Sequence, residues 1–526
     1  MSKVDFIIVG AGAAGAAAAW KLCSKGHSVV CVERGPTMDA SLFPTSQKSW
    51  EKYRYFDFDP VASRRAGKFD IPVDDSSSPI AVCNFSAVGG STILYSAHFP
   101  RFLPTDFRTF STEGVGKDWP IEYCDLKPYF TENEYHMGVS GLAGDPFYPD
   151  VGNVLPPVPL GEVGTFLARA LNKKKWHWWP SFAAISTRQV RGRSACLNLG
   201  PCNLGCPQGA KSSVDLTYIA RAKTLGLILF DEFAVTEILM KGRSAIGVKG
   251  VNKKGETEEI FGEHVVLAAS AIGTPRLLLN TRTKHFPNGL GNNFGAVGRN
   301  LMMHPLGYVE GIFERKFDTD NGPQGALIHS LEFYRRKESQ YKLGFMIQGL
   351  RGSGVLDTAV ALQKRRKLEF GKNIYENVNN SHRKKVAMTI ICEDLPELEN
   401  RVELDKSNPD KFGCPGVKIH YKLHGNTKKM MSTGLSEVKK FMIDAGARST
   451  AAFGPVRESG WHLMGTAGMG IDEKISVVCP RGKVHGTKNL YVVDSSVFVS
   501  SSCVNPANTI QAISLYLSDG MGANAR

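Results

Sequence analysis

The sequence contains no run of eighteen or more apolar residues, so a membrane-spanning helix is not expected. It shows no cleavable secretory leader either. The apolar run FIIVGAGAAGAAAAW near the start belongs to a glycine motif, and only MSKVD precedes it. The expectation is a mature chain that begins there, in the cytoplasm. Cysteine is sparse, 11 in 526 residues, and irregularly spaced, which argues against a disulfide scaffold and fits a reducing compartment. No Cys-x-x-Cys-His haem-attachment motif occurs. Acidic residues are outnumbered, 50 Asp and Glu against 64 Lys and Arg, for a net charge of +14. The excess lies in short runs: KKK at 173–175, RRK at 335–337, KRRK at 364–367 and RKK at 383–385. No nucleic-acid motif accompanies them, so nucleic acid is not an expected partner. A solvated face, or a patch meeting an acidic partner or substrate, accounts for the charge.

A chain of 526 residues exceeds the size at which one core keeps growing, so two domains are expected. The stretch VDFIIVG (4–10) reads as a buried parallel strand. It runs into Gly10-x-Gly12-x-x-Gly15, with Ala13 and Ala14 inside the turn, and then into an alanine-rich helix. A second strand, SVVCVE, ends at Glu33. Together these parts form the βαβ fingerprint of dinucleotide binding. Gly10 permits the tight turn, Gly12 the approach of a pyrophosphate, and Gly15 close packing of helix on strand. Glu33 stands where a carboxylate accepts hydrogen bonds from a ribose hydroxyl. The fingerprint does not separate NAD from FAD.

Three further segments bear on that choice. NFSAVGGSTILYSAHFPRF (84–102) carries a Gly-Gly-Ser-Thr turn. HVVLAASAIGTPRLLLNT (264–281) reads as strand, small-residue turn and a helix predicted to begin near Pro275. The C-terminal region holds ESGWHLMGTAGMG (458–470), then a predicted strand ending at Asp494 and a final helix opened by Asn505-Pro506.

With VGRNLMMHP (297–305) and the segment 393–421, these stretches resemble the glucose–methanol–choline (GMC) family of FAD-dependent alcohol oxidases and dehydrogenases, along essentially the whole chain. The resemblance implies an α/β fold in which a Rossmann-type FAD-binding domain (1–155, 200–310 and 459–526) is interleaved with an α+β substrate-binding domain on an antiparallel sheet (156–199 and 311–458). It implies His462 as the active-site histidine and Asn505 as its catalytic partner. It places Gly10, Gly12, Ala13, Ala14, Gly15, Glu33 and Arg34 against ADP, and Val235 beside adenine. Gly89, Gly90 and Ser91 fall in the flavin-attachment region, with Ala269, Asp494 and Pro506 near the rest of the flavin. Ile93 stands where covalent-flavin relatives carry histidine, so the FAD is expected to be non-covalent. His98 and His304 are read as packing residues. The implied partners are an alcohol, and oxygen or a quinone, dye or protein as electron acceptor. An FAD-containing lyase and a nicotinamide dehydrogenase are the alternatives.

Two features stay open at this level. Cys196, Cys202 and Cys206 have a spacing similar to that of cluster-bearing sugar dehydrogenases of the family, and also a Gly-Cys-Pro turn similar to flavin-only oxidases. Structural thiols are the preferred reading and an iron–sulfur cluster the alternative. KKKWHWWPSF (173–182) is either an aromatic platform for a sugar ring or aryl group, or ordinary packing. A sugar, a glycoside or a bulky aryl-bearing alcohol is the expected substrate. The basic stretch 333–385 lacks clear periodicity and reads as a loop, a lid or a partner contact.

Overall fold

The computed structural model describes residues 3–65, 67–325, 327–336, 339–351, 354–364, 371 and 373–522. The β-branched runs Val4–Val9 and Val29–Val32 are nearly fully buried and pair in parallel. Parallel pairing continues from Ile228–Phe230, through Val29–Val32 and Val4–Val9, to the end of Thr257–Leu267 and then Leu490–Val492. The first half of Thr257–Leu267 turns outward and forms an antiparallel meander with Ser244–Val251 and Ala234–Lys241. Helix Ala13–Ser24 packs its small residues on this sheet. Its alanines also let the final helix, Ala507–Asp519, approach closely enough for the Ser514 hydroxyl to donate to the Ala14 carbonyl at 2.7 Å. The two ends of the chain thus close one layer.

Two sequence expectations shift here. The strand expected to reach Asp494 stops at Val492, because the Asp494 carboxylate accepts the Ser496 N–H at 2.9 Å and caps a short 3-10 turn, Ser495–Val497. The helix expected to begin at Pro275 begins at Ser270 and runs to Asn280, with Pro275 inside it. A proline there frees the carbonyl four residues back. That carbonyl, on Ala271, accepts the Thr466 hydroxyl at 2.8 Å instead. The proline is tolerated because a distant side chain replaces the lost donor.

The second layer is a six-stranded antiparallel sheet ordered Ser449–Phe453, Leu306–Ile312, Lys385–Cys392, Phe345–Leu350, Ile328–Phe333 and Trp179–Pro180. Alternation along its strands divides two faces. Val309, Phe345, Ile347, Met388 and Ile390 pack against Met430, Val438 and Phe441 of helix Gly425–Asp444. Leu306, Gln348, Leu350, Thr389 and Ile391 take the opposite face and line a cavity facing the dinucleotide layer. Trp176 and Trp178 of the aromatic run serve the first face. Trp176 stacks on Phe441 with ring centres 5.5 Å apart, and Trp178 and Trp179 donate to Asn172 and to the Leu142 carbonyl. None of the three lines the cavity. The hairpin Arg401–Pro409 and Pro415–His420 adds Val73–Asp74 as a third strand and packs under helix Ser270–Asn280.

The basic stretch is more ordered than its composition suggests. It contains strand Phe345–Leu350 and helices Val355–Lys364 and Ile374–Ser381. Glu51 accepts the N–H groups of Leu356 and Asp357, both at 2.9 Å, and so fastens the first helix to the segment Trp50–Tyr55. Lys337 and most of the KRRK run lie outside the described residues. Among the described residues no helix is long and apolar enough to cross a membrane.

Thr466→Val tests the proline compensation. It leaves the buried Ala271 carbonyl unpaired, and the urea midpoint of the apoprotein should fall by an amount corresponding to about 1–3 kcal/mol. Thr466→Ser, which keeps the hydroxyl, should recover most of that loss.

Candidate active site

One cavity of about 530 Å³ runs between the two layers. Its floor begins at the glycine turn. Gly10 has φ of +105°, and a side chain there would meet the Ala268 carbonyl at 2.4 Å. A Cβ at Gly15 would lie 1.8 Å from the Gly10 carbonyl oxygen, so Gly15 sits behind the cavity and sets the packing of helix on strand. Gly12 differs. The nearest atom to an added Cβ is the Gly90 Cα at 3.9 Å, so a methyl group there would project into the cavity and not into protein. Ala13 and Ala14 continue this wall. Helix Ala13–Ser24 has no side-chain cap and no acidic residue in its first turn, which leaves its N–H groups free for phosphate.

Glu33 closes the adenosine end. Its carboxylate accepts the Ala11 and Gly35 N–H groups, each at 2.8 Å. Burial pushes this carboxyl up to about 7 against the pull of those donors. Further donors such as ribose hydroxyls would favour its ionised form. Arg34 is held by Asp410, which also binds Arg276 at 2.6 Å. Burial would raise the Asp410 carboxyl, but the two guanidiniums prevail and keep it below the usual range. Arg34 Nε and Nη1 remain buried without a partner. Val235, Gly90, Ser91 and Ala269 line the cavity further along, while Gly89, at φ of +103°, lies behind and shapes the turn. Asp494 and Pro506 line its inner end. Orphaned arginine donors, a bare glycine wall and two uncapped helix N-termini, at Ala13 and at Ala507, suit a dinucleotide carrying a pyrophosphate.

The reacting end is built by a backbone register. Met302 and Met464 exchange two N–H···O bonds, both 3.0 Å, in an antiparallel bridge. Two residues from the bridge, on opposite strands, stand His304 and His462. Antiparallel register therefore places them face to face, Nδ1 to Nδ1 at 3.0 Å. His462 Nε2 lies 3.3 Å from Asn505 Nδ2, and Asn505 Oδ1 lies 2.5 Å from His98 Nδ1. With the amide in this orientation the polarity runs one way. His98 donates to Asn505, Asn505 donates to His462 Nε2, and His462 donates through Nδ1 to His304. Nε2 of His462 is then an unprotonated base.

Burial lowers His462 to about 4. Burial, with His329 nearby, lowers His98 to about 3, and burial beside His462 takes His304 well below the ordinary histidine range. All three imidazoles are neutral at pH 7.

His462 and Asn505, expected together from sequence, meet as expected. His98 and His304, read there as packing residues, are brought to the same cluster, and His98 lines the cavity. Their signal lay in the motif segments that carry them, yet the pairing of VGRNLMMHP with ESGWHLMGTAGMG is visible only in three dimensions. Ala97, at φ of +64°, adopts a left-handed backbone just before His98, which backbone bonds from Phe99 and Ala184 hold in place.

Cys196, Cys202 and Cys206 line a separate cavity of about 20 Å³, and all three thiols are free. Burial pushes Cys202 up to about 11 and raises Cys196, so both stay protonated at neutral pH. Among the described residues no group of three His, Cys, Asp or Glu is arranged to hold a metal ion. Lys211 anchors this loop. Its buried ammonium donates to the carbonyls of Ile93 at 2.6 Å, Cys202 at 2.7 Å and Tyr95 at 3.0 Å, tying the cysteine loop to the Gly-Gly-Ser-Thr turn.

Gly12→Ala and Gly15→Ala separate the two roles of the motif. Gly12→Ala apoprotein should melt within a degree or two of wild type yet retain at least tenfold less flavin, read as absorbance near 450 nm per protein. Gly15→Ala should lower the apoprotein melting temperature itself, because its methyl group collides with backbone.

Residues 183–306 and 396–514 match the two GMC oxidoreductase family patterns, and residues 8–40 match the NAD(P)-binding Rossmann-like domain. The chain is 34% identical to the 2-methyl-1,2-propanediol dehydrogenase of Mycolicibacterium austroafricanum, over 98% of this chain and 95% of that one. It is 26% identical to the fructose dehydrogenase large subunit of Gluconobacter japonicus, over 99% and 98%. It is 28% identical to the paromamine 6'-oxidase of Streptomyces fradiae, over 97% and 90%. Among solved structures, pyridoxine 4-oxidase from Mesorbium loti shares the fold with a TM-score of 0.67 at 16% identity, covering 99% of both chains. A full-length relationship to enzymes of this kind, on a fold that joins a dinucleotide groove to a buried histidine, means that the chain belongs to the GMC oxidoreductase family, flavoproteins that act on CH–OH donors.

Proposed function

We propose that the protein oxidises an oxygen-rich, sugar-like alcohol to the carbonyl, with His462 as base, Asn505 as the orienting group and FAD held without a covalent bond. The observation that carries this reading is the neutral His462 Nε2, paired with Asn505 at 3.3 Å at the inner end of the cavity that starts at the glycine turn. Bound FAD would supply the hydride acceptor. The groove from Gly10 to Glu33 would hold its ADP half, and Gly90, Ser91, Asp494 and Pro506 its flavin half.

The chain's own work is proton handling and orientation. His462 Nε2 takes the hydroxyl proton as the carbon loses its hydride. His304 supports this by accepting from Nδ1, which keeps the lone pair on Nε2. Asn505 is fixed by His98 on its oxygen, so its Nδ2 is aimed at the shared position of base and alcohol oxygen. Ile93 is buried with Phe43, Phe58 and Leu204 and, unlike its neighbours Thr92 and Leu94, does not line the cavity, which supports a flavin that is not covalently attached. The sugar-like reading is favoured over an aryl group because the three tryptophans of the 173–182 run pack elsewhere, while Asn203, Gln324, Gln348 and Thr389 line the cavity.

His462→Ala should keep near-normal flavin content while anaerobic flavin reduction slows by about 10²–10⁴-fold. Asn505→Ala should also slow reduction but retain its pH dependence. In wild type the reduction rate should be flat from about pH 8 to about pH 6 and fall as pH approaches 4, because protonated imidazole cannot accept the proton. A midpoint left at the free-histidine value of about 6.5 would mean that burial does not lower the base in the working site. Acid precipitation should leave all the yellow colour in the supernatant. Anaerobic bleaching by an alcohol separates this reading from a lyase, and stopped-flow mixing of the reduced enzyme with oxygen separates oxidase from dehydrogenase.

A further inference from the structure

A second group of polar side chains lines the same cavity and takes no part in the chemistry above. Arg54, on the segment Trp50–Tyr55, donates Nη2 to Asn203 Oδ1 at 3.1 Å and to Gln324 Oε1 at 3.0 Å, and Nη1 to Asp357 at 2.8 Å. A guanidinium has no acceptor atom. Both amides must therefore turn their oxygens toward Arg54, which leaves Asn203 Nδ2 and Gln324 Nε2 as donors without a protein partner among the described residues. Arg351 lies beside them at the end of strand Phe345–Leu350 and is 7% exposed. Its Nη atoms donate to the carbonyls of Asn321, Pro159 and Leu160. Its Nε is buried without a partner, and among the described residues no carboxylate forms an ion pair with it. Gln348 donates to the Gly325 carbonyl.

Three open donors could receive the hydroxyls of a neutral polyol. The charge decides otherwise. Arg54 is neutralised by Asp357, whereas the buried Arg351 has only carbonyls as hydrogen-bond partners and feels the Asp318 carboxylate at a distance while that group pairs with Arg383, an arrangement that a bound anion completes better than a hydroxyl. We propose that this cluster is a carboxylate subsite and that the oxygen-rich alcohol of the proposed reaction carries a carboxylate, so that the substrate is a hydroxy acid. Its carbinol carbon faces His462 and its carboxylate lies on Asn203 Nδ2, Gln324 Nε2 and Arg351 Nε. The inference deepens the alcohol-oxidation reading and depends on it for the reacting hydroxyl, not for the binding of the acid.

The test uses the full-length, FAD-loaded enzyme. Aliphatic carboxylates from acetate to hexanoate, and the matching primary amides, are titrated while the flavin difference spectrum is followed. The best carboxylate should bind at least tenfold tighter than its amide, and Arg351→Met should weaken it by about 10–100-fold, the worth of a charge-assisted hydrogen bond in a buried site. Arg351 also holds three backbone carbonyls, so Gln324→Glu provides a second variant. It keeps the oxygen that Arg54 grips and replaces the donor with an anion, and it should abolish the preference for acid over amide. Equal binding of acid and amide in wild type, or a preference unchanged in both variants, overturns the subsite. Anaerobic reduction by hydroxy acids and by their amides then gives the catalytic counterpart, with the acids expected to reduce the flavin at higher kcat/KM. If no alcohol of either kind reduces the flavin, the oxidation reading fails while the titration still decides the subsite.

Discussion

The histidine cluster at the inner end of the cavity depends on one backbone pairing, Met302 with Met464. It joins a loop leading into the six-stranded sheet with a loop leading back to the dinucleotide layer, and its register sets His304 against His462. From that contact follow the aim of His462 Nε2 and its relation to Asn505, whose amide then sets the tautomer. A slip of one residue in either strand would turn its imidazole to the other side and break the pair. The buried methionines at the bridge make such a slip costly, since both are fully inaccessible.

The two layers divide the work according to what their strands can offer. Parallel strands buried on both faces leave free only the turns at their ends, and the glycine turn, Glu33 and Asp494 all lie there. The antiparallel sheet has one face to spare beyond the one covered by helix Gly425–Asp444. That face supplies Leu306, Gln348, Leu350, Thr389 and Ile391 to the cavity. The cavity-lining residues of the second sheet can therefore vary without disturbing the dinucleotide turns.

Burial gives the site its proton chemistry. Desolvation keeps His98, His304 and His462 uncharged at neutral pH, and the hydrogen bonds among them direct the lone pairs. The same desolvation acts on Cys196 and Cys202, where it favours thiols over thiolates, and on Lys211, which it lowers to about 8. The Lys211 ammonium is retained among carbonyl dipoles that link this loop to the flavin turn.

The sequence by itself determined the parts whose physics is local. A βαβ turn needs its glycines within six residues, and an uncapped helix start shows in the residues that open it. Gly10 to Glu33 and the helix opened by Asn505-Pro506 were legible for that reason, and His462 and Asp494 through the family resemblance. The cap that Asp494 forms was not, since the sequence predicts a strand that reaches it. The tertiary structure alone decided what rests on contacts distant in the chain. Pro275 inside a helix is acceptable because of Thr466, and the Trp176 ring is core because Phe441 lies against it. His98 and His304 join the cluster because of pairings with Asn505 and His462 that are 407 and 158 residues away in sequence. The donor cluster around Arg351 exists because Arg54, from a segment that carries no motif, fixes two amides 149 and 270 residues away. Orientation of a side chain is set by its partners in space, and linear spacing does not encode them.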